Sequence, residues 1–179
     1  MNTNADMGDF WVFGYGSLMW RPGFDFIESR RAHLHGFRRA LCVRSYVHRG
    51  TEQRPGLVLG LDKGGSCVGV AFQVAGVHRD GVITYLRERE LVTHVYRERW
   101  LSISLDDGRR VPALGYVVDQ HHRQYAGRLG VDEAARHVAG ARGQSGPNEE
   151  YVANTVEHLR QMGIRDRWLE AVAHHMHQR

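Results

Sequence analysis

Trp11-Val12-Phe13-Gly14-Tyr15-Gly16-Ser17-Leu18-Met19-Trp20 is the stretch from which the rest of the chain is read. A β-prone apolar run ends in two glycines one residue apart, which predicts a strand over about residues 10–15 that turns sharply at its end. Glycine allows such a turn and also lets a ligand approach the main-chain N–H groups. Two readings stand side by side: a plain tight turn, and a cradle for an anion, a carboxylate or a developing oxyanion. The commoner glycine motifs are excluded. A dinucleotide fingerprint requires a third glycine where Met19 stands, and a P-loop requires Gly-Lys-Ser/Thr, which is missing. A nucleophile elbow around Ser17 requires glycines where Tyr15 and Met19 stand, so Ser17 is a poor covalent nucleophile.

Working outward, the 179 residues suffice for one domain with a real core, preceded by a flexible segment over 1–9. Hydrophobic content of 42% and charge of 25% are those of a soluble globular protein. No apolar run is long enough to span a membrane, and the opening Met-Asn-Thr-Asn-Ala-Asp lacks the apolar core of a signal peptide. Only Cys42 and Cys67 are present, which argues against a disulfide framework and against a cysteine zinc site. A cytoplasmic protein without a membrane partner is expected. The net charge of +4 invites a nucleic-acid reading, but 24 basic residues are scattered among 20 acidic ones. All but Lys63 are arginine, which suits bidentate capture of carboxylates, so a small anionic metabolite accounts for the charge without a nucleic-acid partner.

Further strands are expected at about 33–44, 56–62, 67–74, 93–105 and 110–118. Asp62-Lys63-Gly64-Gly65 and Asp106-Asp107-Gly108 are read as hairpin turns. Helical spacing covers about 78–90, and helices return at about 132–142, 148–161 and 165–177. Strands first and helices last give an α+β fold: a mainly antiparallel sheet or small β-barrel with one inserted helix and C-terminal helices.

The inserted helix separates two carboxylates. Val82, Ile83 and Leu86 form its apolar stripe, and Glu90 falls on that stripe as the i+4 neighbour of Leu86, whereas Glu88 lies opposite. Burial and the negative end of the helix dipole both raise the pKa of a carboxylate so placed, which suits a general base working near neutrality. An ion pair between Glu90 and an arginine at the helix end is the competing reading. The histidines at 33 and 35, 121 and 122, and 174, 175 and 177 lack metal-site spacing and are read as surface residues.

Taken together, these stretches resemble the ChaC family of glutathione-specific γ-glutamylcyclotransferases. Val12 to Trp20 is similar to the family's N-terminal signature, and Tyr85-Leu86-Arg87-Glu88-Arg89-Glu90 resembles the segment that supplies its catalytic glutamate. Ser45 to Gly50 with Arg54-Pro55-Gly56 looks like its second loop, and Ser145 to Tyr151 like its late Ser-Gly-x-Asn-x-x-Tyr motif. The similarity runs from about residue 10 to 165. Leu91-Val92-Thr93 departs from the Gly-Gly-Tyr of some relatives, which bears on substrate preference.

The resemblance implies intramolecular aminolysis. The α-amine of a γ-glutamyl group attacks its own γ-carbonyl, forming 5-oxoproline and expelling an amine, which for glutathione is Cys-Gly. Such a reaction requires no cofactor, metal or covalent intermediate. The implied catalytic acid/base is Glu90. Gly14, Tyr15, Gly16, Ser17, Leu18 and Met19 would bind the γ-glutamyl carboxylate and the oxyanion. Tyr151 would orient the substrate or merely pack a helix, and Arg54 would pair with the glycine carboxylate or merely sit at the surface. Two alternatives remain open: a cyclotransferase for other γ-glutamyl peptides or γ-glutamylamines, and a non-catalytic metabolite-binding regulator.

Overall fold

The computed structural model describes residues 8–178, so residues 1–7 of the expected N-terminal segment lie outside the described residues. Strands β1 (Phe10–Gly14), β2 (Glu28–Ser45), β3 (Gly56–Val74), β4 (Tyr96–Leu105) and β5 (Arg110–Val118) form a closed barrel in the order β1-β3-β2-β4-β5. β1 is antiparallel to β3, with Phe10 opposite Val74 and Gly14 opposite Val70, and parallel to β5, with Val12 opposite Leu114. All five residues of β1 are buried, so both of its faces are covered as well as both of its edges paired. β2 is antiparallel to β4, with Leu34 opposite Ile103.

Among helices, α1 (Arg79–Glu90) is inserted between β3 and β4. α2 (Val131–Val138), α3 (Asn148–Gln161) and α4 (Arg167–Met176) follow the barrel strands, with the two-residue strands β6 (Arg142–Gly143) and β7 (Gly146–Pro147) between α2 and α3. No helix among the described residues is long and apolar enough to cross a membrane.

The expected hairpin at Asp62-Lys63-Gly64-Gly65 is corrected: β3 continues through it as one 19-residue strand. Gly64 and Gly65 do take positive φ, +98° and +76°, but they bend the strand where a hairpin would reverse it. The Asp62 carboxylate is buried and accepts from Gln120 Nε2 and from the Tyr125 hydroxyl, both at 2.8 Å. A turn aspartate bonds its own backbone; here tertiary partners take that carboxylate instead. Gly36, at φ +96°, supplies a similar bend in β2. Three boundaries also move: β2 starts at Glu28, α2 stops at Val138, and β4 starts at Tyr96 after an irregular segment in which His94 takes φ 60°.

The chain divides into two compact units at these bends: one holds the chain up to Arg38 with Lys63–Val117, the other Arg39–Asp62 with Val118–Arg179. In the first, Phe10, Val12, Leu18, Val74, Val82, Leu86, Leu114 and Tyr116 form a buried cluster. In the second, α2 and α3 both pack on α4. Asp166 caps α4 by accepting from the Leu169 N–H at 3.0 Å, and it also pairs with the buried Arg39 at 3.3 Å.

Asn148 opens α3 with no side-chain exposure to solvent. Its Oδ1 accepts from the Leu57 N–H and its Nδ2 donates to the Leu57 carbonyl, both at 2.8 Å, as a neighbouring strand would. Asn148→Ala strands both backbone groups in the interior and should cost about 2–4 kcal/mol. A urea titration should show a lower midpoint with an unchanged slope; an unchanged midpoint would show that Leu57 finds other partners.

Candidate active site

The glycine loop leaves β1 at Gly14 and closes into a single 3-10 turn, Ser17–Met19. The Met19 N–H donates to the Gly16 carbonyl at 2.9 Å and the Arg21 N–H to the Ser17 carbonyl at 2.8 Å. Met19 therefore spends its amide on the turn, which removes it from the donors that a ligand can use. Neither Gly14 nor Gly16 takes positive φ, so conformational freedom in that sense is not why glycine stands here. At Gly14 the reason is space: a Cβ would lie 3.0 Å from Leu18 Cβ and 3.3 Å from Met19 N. Tyr15, Leu18 and Met19 are buried and anchor the loop, while Ser17 is exposed. The Ser17 hydroxyl accepts from Arg89 Nη2 at 2.8 Å. A guanidinium only donates, so it cannot take the serine proton.

α1 docks through Val82 and Leu86, and its last residue is Glu90. Glu88 is exposed, whereas the Glu90 side chain is only 17% exposed. Burial pushes the Glu90 carboxyl above its ordinary value, and the Arg89 guanidinium, with Nε 3.7 Å from Glu90 Oε1, pulls the other way. Both sequence readings of this carboxylate thus have a physical counterpart: it is desolvated, and it has an arginine beside it.

A second set of groups beside Glu90 was not singled out from sequence. Tyr116 of β5 is fully buried, and its hydroxyl donates to Glu98 Oε2 of β4 at 3.0 Å. Glu98 in turn accepts from Arg87 Nε at 3.0 Å and Nη2 at 2.9 Å, which holds its carboxyl below the ordinary value. Burial, then the negative charges of Glu98 and Glu90, push the Tyr116 phenol far up, so it remains a neutral donor. The available signal was a polar-tipped residue within the apolar run Ala113 to Val118.

Arg54 and Tyr151 belong to the second unit, each with structural partners. Arg54 is exposed, and its guanidinium donates to the Ala139 carbonyl at the end of α2. Tyr151 is half-buried; its hydroxyl oxygen accepts from the Leu59 N–H at 3.0 Å, and the Arg49 guanidinium lies 5.6 Å above its ring. The two motif segments that sequence reading kept apart here, Ser45–Gly56 and Ser145–Tyr151, are joined. The Gln144 and Ser145 amides donate to the Val47 and His48 carbonyls, and Arg49 Nη1 donates to the Pro147 carbonyl. At Gly56 a Cβ would lie 2.3 Å from the Arg49 carbonyl oxygen, so glycine is required there for packing.

The fold is that of a γ-glutamyl cyclotransferase. The crystal structure of a yeast γ-glutamyl cyclotransferase specific to glutathione superposes with a TM-score of 0.81 at 25% identity, covering 96% of this chain and 99% of that one. A sequence model of the ChaC-like proteins matches residues 10–179. The glutathione-specific γ-glutamylcyclotransferase of Escherichia coli (strain K12) is 37% identical over 161 residues, spanning 90% of this chain and 70% of that protein. The glutathione-specific γ-glutamylcyclotransferase 1 of Mus musculus is 33% identical over 175 residues, spanning 94% of this chain and 78% of that protein. The chain belongs to the ChaC family.

The state of Glu90 has a consequence for stability. Its carboxyl is raised above the ordinary 4.5, so the native state holds that proton more tightly than the unfolded chain does. The stability drawn from the proton is present below 4.5 and is lost as pH rises through the folded value. Glu90→Gln does not titrate, so its melting temperature relative to wild type should rise between acid and neutral pH. A gap that is flat with pH would show that Glu90 is not desolvated.

Proposed function

We propose that this protein is a glutathione-specific γ-glutamylcyclotransferase, releasing 5-oxoproline and Cys-Gly from glutathione. One observation carries the reading: a carboxylate raised by burial, Glu90, at the end of a helix whose preceding residue bonds the glycine loop. The curated names of the E. coli and mouse relatives support the same activity.

In this reading the substrate's α-ammonium gives a proton to the Glu90 carboxylate. The freed amine forms a bond to the γ-carbonyl carbon, and the carbonyl oxygen becomes an oxyanion held by backbone donors of the glycine loop. The oxyanion then reforms the carbonyl and the γ C–N bond breaks; the departing amine of Cys-Gly takes the proton held by Glu90 and the surplus proton of the ring nitrogen, so it leaves as an ammonium and Glu90 returns to its carboxylate. No water is consumed. Nucleophile and electrophile share one molecule, so the enzyme's task is to hold it bent into a near-attack conformer, a contribution of several kcal/mol. A base with an ordinary carboxylate pKa is too weak to take much of this proton near neutrality, and desolvation of Glu90 corrects that.

Gly14 to Met19 enter the reading as the substrate loop, with Met19 contributing its buried side chain and not its amide. Tyr151 and Arg54 remain candidates for orienting the substrate and for its glycine carboxylate. Their observed partners are structural, so the reading rests on Glu90 and the loop. A cytoplasmic setting fits the two buried cysteines, Cys42 and Cys67, neither of which is in a disulfide.

Purified protein should release 5-oxoproline from glutathione in excess chelator, and faster than from γ-Glu-Cys or γ-Glu-Ala. No 5-oxoproline from any of the three would overturn the activity; a preference for another of them would overturn the specificity. Glu90→Gln should lower kcat by roughly 10²–10⁴-fold, while Glu88→Gln stays near wild type. Equal losses in both would remove Glu90 from the role of base. The rate should also fall with acidification through a pKa above the ordinary 4.5 of glutamate, because the working form is the ionised one.

A further inference from the structure

The side chain of Arg89 makes more polar contacts around the glycine loop than the cyclisation chemistry requires of it. Its Nη1 donates to the Arg21 carbonyl at 2.6 Å, the Pro22 carbonyl at 3.3 Å and the Tyr85 hydroxyl oxygen at 3.1 Å. Its Nη2 donates to Ser17 Oγ at 2.8 Å, and its Nε lies 3.7 Å from Glu90 Oε1. The side chains of Arg89 and Glu90 are 20% and 17% exposed, well short of the solvation that makes surface ion pairs worthless. This set of contacts uses the whole planar fork, which a lysine ammonium cannot reproduce.

We propose that Arg89 is a positioning residue of the cyclisation, tying the Glu90 carboxylate to the Ser17–Pro22 stretch and turning the Ser17 hydroxyl into a donor aimed at the substrate. The proposal rests on the functional reading above. Its chemical core is the one-way character of the guanidinium. Because Arg89 only donates, Ser17 Oγ accepts from it, and the serine proton is left for a different acceptor. Ser17 is exposed, so an acceptor on a bound γ-glutamyl group, its carboxylate or the developing oxyanion, can take that proton.

The loop beyond Ser17 is held from the same helix face. Tyr85, four residues before Arg89, rests its hydroxyl against Gly23, where φ is +78° and a Cβ would lie 2.1 Å from that oxygen. Arg89 and Tyr85 thereby set the separation between the base and the loop as one rigid corner. The groups facing Glu90 are Arg89 from α1 and Tyr116 from β5, the latter bonded to Glu98 of β4. Tyr116 stays neutral, so Arg89 is the positive charge that balances the burial of Glu90.

The test is the pH profile of kcat and KM for glutathione in the full chain, for Arg89→Gln, Arg89→Lys, Ser17→Ala and the double variant Ser17→Ala with Arg89→Gln. Arg89→Gln should lose about 10²-fold in kcat/KM, the scale of a small misplacement of reacting groups. Its acidic limb should also move to higher pH, because Glu90 loses the cation that favours its ionised form. Arg89→Lys should keep the limb at its wild-type position and still lose kcat/KM, since it restores the charge and not the fork. Arg89→Gln should cost less in the Ser17→Ala background than alone. Arg89 variants that melt earlier but keep wild-type kcat/KM and limb would overturn the proposal, as would a limb that moves equally in the Gln and Lys variants. Wild-type protein that forms no 5-oxoproline would instead overturn the functional reading, so the two failures are told apart.

Discussion

Closing the barrel is the constraint on which the first unit depends. β1 has β3 along one edge and β5 along the other, and its five residues are all buried, so both its edges and its faces are out of water. β2 and β3 are strands of 18 and 19 residues, and strands of that length in a closed barrel need points at which to bend. Gly36 bends one, and Gly64 with Gly65 bends the other. Because β1 cannot shift between its two partners, the chain leaving Gly14 has a fixed starting point and direction, and the loop from Gly14 to Met19 inherits both.

The second consequence of the closed core concerns Glu90. Val82 and Leu86 dock α1 in the cluster shared with Phe10, Val12, Leu114 and Tyr116, and that docking carries the end of the helix out of water. Desolvation of a carboxylate is unfavourable, and the structure offsets it only partly. Arg89 stands next to Glu90 but divides its donors among Ser17, Tyr85 and two carbonyls, and its approach to Glu90 is 3.7 Å. Glu98 shows the contrast on the same face: it has two bonds from Arg87 and one from Tyr116, and its carboxyl is held low. Two glutamates eight positions apart in sequence are thus set to opposite proton affinities by how completely each is paired.

In the second unit the motif residues act first on the backbone. Asn148 pairs with Leu57 on both its N–H and its carbonyl, Tyr151 accepts from Leu59, and Arg49 reaches Pro147. These three polar side chains satisfy backbone groups that would otherwise be left without partners, and Asn148 and Tyr151, three apart on α3, both do so on β3. A polar motif read from sequence invites a ligand role. Here much of its hydrogen-bonding capacity goes into holding β3 and the loop before it.

Helical periodicity assigned α1 and separated Glu90 from Glu88, because that pattern reports which face is dry, and a β-prone apolar run ending in two glycines placed β1. The motif spacing also sufficed to assign the family. Local turn chemistry misled at Asp62-Lys63-Gly64-Gly65, where the aspartate had partners at Gln120 and Tyr125, some sixty residues away, that no local pattern encodes. For the same reason the contacts of Arg89 with Ser17 and of Tyr116 with Glu98 were hidden: each joins separate elements, and only a closed barrel brings them together. The sequence by itself determined which residues are apolar, which glycines and carboxylates stand at element ends, and so the class of fold and family. The tertiary structure decided which of those carboxylates is left desolvated and which is fully paired, since proton affinity depends on through-space neighbours and on water removed by packing, and neither is a property of local sequence.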